Sequence, residues 1–324
     1  MAVHRDIFAR VWRRHFLRRV FFGLAVMSLL VAGGGDSRAE PLAVASIKPV
    51  HALLAAIMAG VGEPALIVEG TASPHGYSLR PSQASRLQEA DLIAWIGVEV
   101  ETFLLRPIAT LGAGAEVLTL SHTPGLAKLA PRQGGVFGAN HDHDPGDGEA
   151  AAVDGHIWLD PLNASAIGRA MAAALVAIDP DNAVTYRANA VALGERLDAL
   201  MTELTGRLSP VRARPYIVLH DAYHYFEKRF QLAATGSISE TPDQKPGAAR
   251  VAALQRAIRD DGAVCVFSEP QVEPGLIALV SEGAAVRLAA LDPLGAAIDA
   301  GPELYFTLMR SLADGIVACL SDET

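Results

Sequence analysis

The chain has 324 residues, of which 51% are hydrophobic and 19% are charged. This composition excludes a disordered chain, and the length is enough for two domains with a substantial core. Acidic residues outnumber basic ones by 36 to 27. An acidic surface repels nucleic acid and anionic lipid and weakly attracts cations, so we expect no nucleic-acid partner.

The first 39 residues have the layout of a signal peptide. A basic stretch, RVWRRHFLRR, precedes the apolar run VFFGLAVMSLLVAGGG, and the small residues Ser37 and Ala39 suit cleavage after Ala39. The apolar run is short for a membrane span, although an uncleaved anchor is the alternative, and RRHFLR also resembles a twin-arginine export signal. Residues 1–39 hold seven arginines and two acidic residues, so removing them leaves a net charge of −14. We expect no later segment to span a membrane.

The remainder of the chain alternates short apolar runs with helical patterns. In the first half, strands are predicted at 42–47, 65–69, 91–96 and 116–120, and helices near 50–60, 81–90 and 101–112. In the second half, strands are predicted at 216–219, 263–267 and 286–291, and helices near 223–230, 246–260, 273–283 and 302–320. This alternation predicts an α/β fold with two lobes, each a mainly parallel sheet flanked by helices.

One long helix is predicted to join the lobes. Residues 179–210 carry apolar side chains at helical spacing over many turns, with Asp-Pro-Asp at the start and Ser-Pro at the end. The predicted domains are therefore an N-terminal lobe (40–178), the linking helix (179–210) and a C-terminal lobe (211–324). Within the N-terminal lobe, the polar, glycine-rich interval 121–153 is expected to be a mobile loop.

The histidines and one aspartate fall where parallel α/β sheets bind ligands, beyond the carboxyl ends of strands. His75 follows the second predicted strand, His156 opens HIWLDP, His220 ends a strand, and Asp292 follows the last strand. Three imidazoles with a carboxylate or water suit Zn²⁺, although imidazole also binds copper, nickel and iron. Spacing alone leaves open the alternative that each histidine is an ordinary structural residue.

The two cysteines, Cys265 and Cys319, both lie after the predicted cleavage site. In an exported protein, two cysteines indicate one disulfide, and two buried free thiols are the alternative. A bridge would attach the C-terminal segment to its lobe.

From residue 42 onward, the chain resembles the periplasmic zinc-binding component of high-affinity zinc ABC importers. The matching segments occur in the family's order: ASIKPVHALLAAI, SPHGYSLRPSQASRLQEADLIAWIG, HIWLDP, VLHDAYHYFEKRFQL, PGAARVAALQ, CVFSEPQ and LDPLG. The resemblance implies two α/β lobes joined by one long helix, with a metal site in the cleft between the lobes. It also implies the Cys265–Cys319 bridge.

Carried over by motif, the implied metal ligands are His75, His156 and His220. Some relatives have a glutamate before the first histidine, where this chain has Pro74. The remaining carboxylate is Asp292, implied either as a direct ligand or as a hydrogen-bond acceptor behind one. Manganese-binding relatives have a glutamate in place of His220, which favours zinc here by ligand softness.

The function implied is a periplasmic receptor, expected to be monomeric, that binds Zn²⁺ as cargo and delivers it to the membrane permease of an ABC importer. The long helix predicts modest closure of the lobes rather than a wide swing. Alternatives are a manganese receptor or adhesin of the same fold, or a zinc hydrolase, since three-histidine sites with an open position catalyse hydrolysis in some enzymes. The sequence has no H-E-x-x-H motif, so we expect no enzyme.

Further polar residues receive secondary predictions. His141 and His143, in the polar interval, are expected to form a weak second metal site, with His122 as a further participant. His51 and His224 lie on helical segments and are expected to be structural. Asp160, Asp221 and Glu269 are candidates for orienting the ligand imidazoles, or are ordinary capping and surface carboxylates. Binding should weaken below about pH 6, because zinc needs neutral imidazoles.

Overall fold

The computed structural model of the chain describes residues 40–132, 136–137, 153–239, 241, 246–260, 262–270 and 274–321. The predicted signal peptide, residues 1–39, lies outside the described residues, as do His141 and His143.

The first lobe is a four-stranded parallel sheet in the order β2-β1-β3-β4. Its strands β1–β4 are Ala43–Ala45, Ala65–Leu66, Leu92–Trp95 and Glu116–Thr119. Its helices α1–α3 are Lys48–Met58, Pro81–Glu89 and Leu105–Leu111. The central strands β1 and β3 are wholly buried, as expected for a parallel sheet covered on both faces.

The second lobe is also a four-stranded parallel sheet, in the order β6-β5-β7-β8. Its strands β5–β8 are Tyr216–His220, Ala234–Ser239, Cys265–Ser268 and Arg287–Ala290. Helices α4 (Pro161–Ile178) and α5 (Ala183–Leu208) come before this lobe in the chain. The helices of this half are α6 (His224–Phe230), α7 (Ala248–Asp260), α8 (Pro274–Val280) and α9 (Leu304–Leu320). The predicted α/β class with two parallel-sheet lobes is confirmed.

Strand β6 was absent from the sequence prediction. Its sequence, ATGSIS, holds a single large apolar residue, Ile238, and a glycine at 236. Strand propensity is low for such a segment, and tertiary pairing with β5 supplies what the local sequence lacks. The strand lies at the edge of its sheet.

Two long helices join the lobes: α4 (Pro161–Ile178) and α5 (Ala183–Leu208). The predicted linking helix corresponds to α5, which buries Leu193, Leu197, Leu200, Leu204 and Leu208 along one face. A 3₁₀ turn at Pro180–Asn182 precedes it and another at Ser209–Val211 follows it.

Helix α4 was not predicted, because its alanine-rich sequence shows little amphipathic contrast. It begins at an N-cap, where the Asp160 side chain accepts a hydrogen bond from Leu162 N at 2.9 Å and Pro161 takes the first helical position. Within the described part of the chain, α4 is long and apolar enough to cross a membrane, contrary to the expectation that no later segment is. Half of it is buried inside the protein, and it packs against α1 and α5, so it is a core helix.

A single hydrophobic cluster runs through both lobes. It includes Val44 and Ile93 of the first sheet, Tyr216 and Phe267 of the second, and Leu200 of the linking helix. A smaller cluster lies under α7 and α8 in the second lobe. Because one continuous core includes residues of both lobes, separating the lobes would expose apolar surface.

A disulfide joins Cys265, at the start of β7, to Cys319, in the last turn of α9. Both cysteines are buried. The predicted bridge is confirmed, and it attaches the C-terminal helix to a central strand of the second sheet.

Candidate metal centre

His75 reaches the centre from the loop between β2 and α2 in the first lobe. Its backbone N–H donates to Ser73 Oγ at 3.3 Å, and the ring of Pro74 fixes the φ angle of the position just before it. Burial, together with the nearby His156 and His220 imidazoles, lowers the pKa of His75 to about 3. The imidazole is therefore neutral near pH 7 and keeps a lone pair for a cation.

His156 lies just before the 3₁₀ turn Ile157–Leu159, which leads into α4. Asp154, two residues earlier, accepts hydrogen bonds from His156 Nδ1 at 2.8 Å and from His156 N at 3.0 Å. Burial disfavours a charged His156, but the charge and hydrogen bonds of Asp154 outweigh burial and raise the pKa of His156. Burial likewise opposes charge on Asp154, yet the His156 interactions hold the pKa of Asp154 below its usual range.

His220 ends β5, a central strand of the second sheet, and is 2% exposed. Its Nδ1 lies 2.6 Å from Glu269 Oε1, and Glu269 follows the neighbouring strand β7 directly. Tyr223 Oη also donates to Glu269 Oε1, at 3.3 Å. The junction between β5 and β7 is where the strand order reverses, which is the place where open α/β sheets bind ligands.

The three histidines converge on one point. One ligand atom from each of His75, His156 and His220 lies within 4.8 Å of the other two. His156 Nε2 and His220 Nε2 are 3.4 Å apart. Two nitrogens bound to one zinc at 2.0–2.1 Å with a tetrahedral angle would be ~3.4 Å apart.

The carboxylates explain why these two nitrogens face each other. A carboxylate only accepts hydrogen bonds, so Nδ1 of His156 and Nδ1 of His220 must carry the protons. Each neutral ring then has its lone pair on Nε2. Two lone pairs facing each other repel unless a cation lies between them, and carboxylate–histidine–metal arrangements have this geometry.

Apolar walls close around the cluster. The cavity is about 10 Å³ and is lined by Ser73, Pro74, His75, His156, Trp158, His220, Glu269, Pro293 and Leu294. That is about the smallest volume that holds one water molecule. The wall at Pro293 is fixed by Trp158 Nε1, which donates to Pro293 O at 2.9 Å.

Asp292 lies outside the three-histidine cluster that the described residues form. Its carboxylate instead accepts backbone N–H groups of its own turn, from Leu294 and Gly295 at 3.0 Å each and from Ala296 at 2.5 Å. In the same turn, Lys48 Nζ of the first lobe donates to Ala296 O at 2.7 Å. In the structure, Asp292 thus shapes the turn that carries the Pro293 and Leu294 wall.

The three predicted orienting carboxylates behave differently from one another. Glu269 contacts a cluster histidine, as described above. Asp160 caps α4 and binds Arg229, with Oδ1 2.8 Å from Arg229 Nε and Oδ2 2.6 Å from Nη2. Asp221 binds Arg132. Asp154 was missed, although its position two residues before His156 in VDGH is a signal that the sequence offers.

The remaining described histidines lie outside the cluster. His51 is buried on α1, and its Nε2 lies 2.9 Å from Pro64 O, as expected for a structural residue. His224 begins α6 with Nδ1 3.7 Å from Asp154 Oδ2. His122 is exposed at the end of a 3₁₀ turn.

Known proteins share this architecture. A crystal structure of ZnuA superposes with a TM-score of 0.73 at 24% identity, covering 87% of this chain and 100% of that one. A manganese-bound solute-binding protein, FpvC of Pseudomonas aeruginosa, superposes with a TM-score of 0.73 at 21% identity, covering 87% and 98%. The fold is therefore that of the solute-binding proteins built from two α/β lobes.

Sequence similarity defines the family more narrowly. Residues 43–319 match the model of the periplasmic zinc-uptake complex component A family. The high-affinity zinc uptake system protein ZnuA of Brucella suis is 45% identical over 305 residues, covering 86% of this chain and 91% of the relative. The protein of the same name from Paracoccus denitrificans is 36% identical, covering 92% and 97%. The chain belongs to this family.

Proposed function

We propose that this protein is a periplasmic receptor that binds one Zn²⁺ between its lobes and delivers it to the permease of an ABC importer. The observation that carries the proposal is the convergence of His75, His156 and His220, with ligand atoms within 4.8 Å of one another. These residues come from three separate segments, and two of them are held by carboxylates.

The donor set supports zinc over harder cations. Three neutral imidazoles suit Zn²⁺, whereas Mn²⁺ favours carboxylate and carbonyl oxygens. The fourth position of a tetrahedral ion is left to water or to a carboxylate that moves in, and Asp292 is the carboxylate that the family resemblance implies. Its three backbone hydrogen bonds favour water as the fourth ligand.

Transport, rather than catalysis, fits the surroundings of the cluster. A hydrolase needs a general base beside the metal-bound water. Glu269, the carboxylate that lines the cavity, is bound to His220 Nδ1 and Tyr223 Oη. The relatives named above are uptake proteins, which supports the same conclusion and a periplasmic location.

The continuous core supports modest closure on binding. One apolar cluster includes both lobes and the linking helix α5, and Asn189 of α5 donates to Ile57 O of α1 at 2.9 Å. A wide hinge motion would break these contacts. Small-angle scattering of the apo and zinc-bound forms should therefore show only a small change in radius of gyration.

Calorimetry of the chain from residue 40 onward, with Zn²⁺ and separately with Mn²⁺, tests the proposal. We expect one tight site for zinc and much weaker binding of manganese. Zinc affinity should fall as the pH is lowered from 7.5 to 6, because Asp154 raises the pKa of His156 above its usual range and zinc must displace the proton that His156 takes up. Equal affinity for both metals, or no tight zinc site, would overturn the proposal.

His141 and His143 lie outside the described residues and stay a prediction as a weak second site. Deleting residues 139–149 should leave the tight zinc site intact and remove any weaker second binding event in the same titration. Loss of the tight site on deletion would contradict the assignment of the cluster as the principal site.

A further inference from the structure

A segment of the first half of the chain crosses onto the second lobe next to the histidine cluster. Ala127 N donates to Asn163 Oδ1 at 2.8 Å, at the start of α4. Leu129 N then donates to Tyr225 Oη of α6 at 3.0 Å. Asp154 N returns a hydrogen bond to Leu129 O at 2.8 Å. Residues 127–132 are therefore held in place although they belong to the interval expected to be a mobile loop.

Arg132 lies in this segment and binds two carboxylates of the second lobe. Its Nε is 3.0 Å from each Asp221 oxygen, and its Nη2 also contacts Asp221 Oδ1. Its Nη1 is 2.7 Å from Glu227 Oε2. The guanidinium carbon also lies 4.0 Å from the centroid of the Phe137 ring, a cation–π distance.

This ion cluster is largely shielded from water. The Glu227 side chain is 3% exposed, Asp221 is 16% exposed and Arg132 is 18% exposed. Tyr216 Oη donates to the other Glu227 oxygen at 3.1 Å. Burial opposes the charge on Arg132, but Glu227 and Asp221 outweigh it and raise the pKa of Arg132 above its usual range. A shielded guanidinium that binds two carboxylates is costly to disrupt, because removing it leaves both charges unpaired.

The cluster adjoins the candidate zinc site through the backbone. Asp221 follows His220 directly, and Ala222 N donates to His220 O at 2.8 Å in the turn that ends β5. Fixing the Asp221 side chain therefore fixes the end of the strand that carries His220. The same contacts keep the Asp221 carboxylate bound to Arg132, so that its oxygens are not free to join the three imidazoles.

We propose that Arg132 is a positioning residue for the histidine cluster: it holds the end of β5 against residues 127–132 and keeps the Asp221 carboxylate away from the bound ion. This inference rests on the proposed function. Its consequence is selectivity, because three imidazoles and a water, without the Asp221 carboxylate, form the donor set that zinc prefers over manganese.

The test compares Arg132→Met, which keeps the apolar stem near Phe137, with Arg132→Lys. The matched control is Arg310→Met. Arg310, an exposed residue of α9, also binds a carboxylate through two nitrogens (Glu203 of α5, at 2.7–3.1 Å). For each variant we would measure zinc and manganese affinity, the rate of zinc release to a chelator, and the visible absorption of bound Co²⁺.

In Arg132→Met we expect zinc affinity to fall by about 10–100-fold, as for loss of other groups that orient metal ligands. Zinc release should be faster, the preference for zinc over manganese should shrink, and the Co²⁺ bands should shift. Arg132→Lys should be intermediate, since an ammonium cannot reproduce the planar two-nitrogen contact with Asp221. Arg310→Met should match the wild type in every metal measurement.

A double-mutant cycle tests whether Arg132 acts through Asp221. If it does, Asp221→Asn should weaken zinc binding, and adding it to Arg132→Met should cost little more. Fully additive losses would overturn the inference, as would unchanged affinity, release rate and Co²⁺ spectrum in both Arg132 variants. If Arg132→Met does not fold, Arg132→Lys decides by the same criteria. Absence of tight zinc binding in the wild type would instead refute the proposed function.

Discussion

The two lobes have the same strand order, yet only the second places a candidate ligand where that order reverses. In the second lobe, the ends of β5 and β7 bring His220 to within 2.6 Å of Glu269. In the first lobe, the equivalent strands β1 and β3 end beside Ser46 and Glu101. Glu101 Oε2 accepts hydrogen bonds from Ile96 N at 2.8 Å and Gly97 N at 3.3 Å.

In the first lobe, a buried carboxyl group therefore occupies the place where the strand order reverses. Glu101 is 0% exposed, and burial raises its pKa to about 7. This half of the chain contributes to the cluster from loops instead, through His75 and His156. The sheet topology therefore offers a place for a ligand in both lobes, and the side chains at the strand ends decide whether a ligand binds there.

The largest expected effect is the loss of zinc binding when His220, the ligand at the end of β5, is removed. His220→Ala should reduce zinc affinity by at least about 1,000-fold, or about 4 kcal/mol, because it removes a ligand. Ser46→Ala, at the equivalent position of the first lobe, should leave affinity unchanged. Competition with a zinc chelator measures both, and equal titrations for the two variants would contradict the ligand assignment.

The next largest expected effect is on stability, when the disulfide between β7 and α9 is removed. Cys265→Ser should lower the free energy of unfolding by about 2–4 kcal/mol, because the bridge closes a long loop. Zinc affinity should change little, since Cys265 lies at the amino end of β7, away from Glu269. Chemical denaturation of the apo protein gives the first quantity, and an unchanged midpoint would show that the bridge contributes nothing in solution.

A smaller effect on zinc binding is expected when Asp154, the partner of His156, is changed. Asp154→Asn should weaken zinc binding by about 10–100-fold, because His156 loses the carboxylate that fixes its tautomer. The control is Asp160→Asn, a nearby carboxylate that caps α4. That variant keeps the cap, since asparagine caps as well as aspartate. It should lower stability only through the lost ion pair with Arg229 and leave zinc affinity intact. A reversed pattern would mean that Asp160, not Asp154, supports the site.

The smallest expected effect is on the pH dependence of stability and concerns Glu101 of the first lobe. Between pH 4.5 and about 7, folded Glu101 keeps its proton while the unfolded chain loses it. The free energy of unfolding contributed by this group therefore falls as the pH rises through that window. Glu101→Gln should remove this dependence and raise the melting temperature slightly at pH 7.5, without altering zinc affinity. Glu269→Gln, its counterpart, should instead weaken zinc binding.

The sequence predicted the features that depend on local pattern. Alternating apolar runs predicted the two parallel-sheet lobes, and helical spacing of leucines from Leu193 to Leu208 predicted the linking helix. Resemblance pointed to the three histidines and to the disulfide. Strand β6 and helix α4 were not predicted. Strand β6 is polar and contains a glycine, and helix α4 is apolar on most faces, so neither has a clear hydrophobic periodicity.

The partners of the histidines depended on packing between distant segments. Glu269 meets His220 because β5 and β7 are neighbours in the sheet, and Arg132 meets Asp221 because a segment crosses between lobes. The Asp292 carboxylate accepts hydrogen bonds from three backbone N–H groups of its own turn. By itself, the sequence determined the fold class and which imidazoles are available. Only the tertiary structure decided which carboxylates orient them, because hydrogen-bond partners are set by distances in space rather than by separation along the chain.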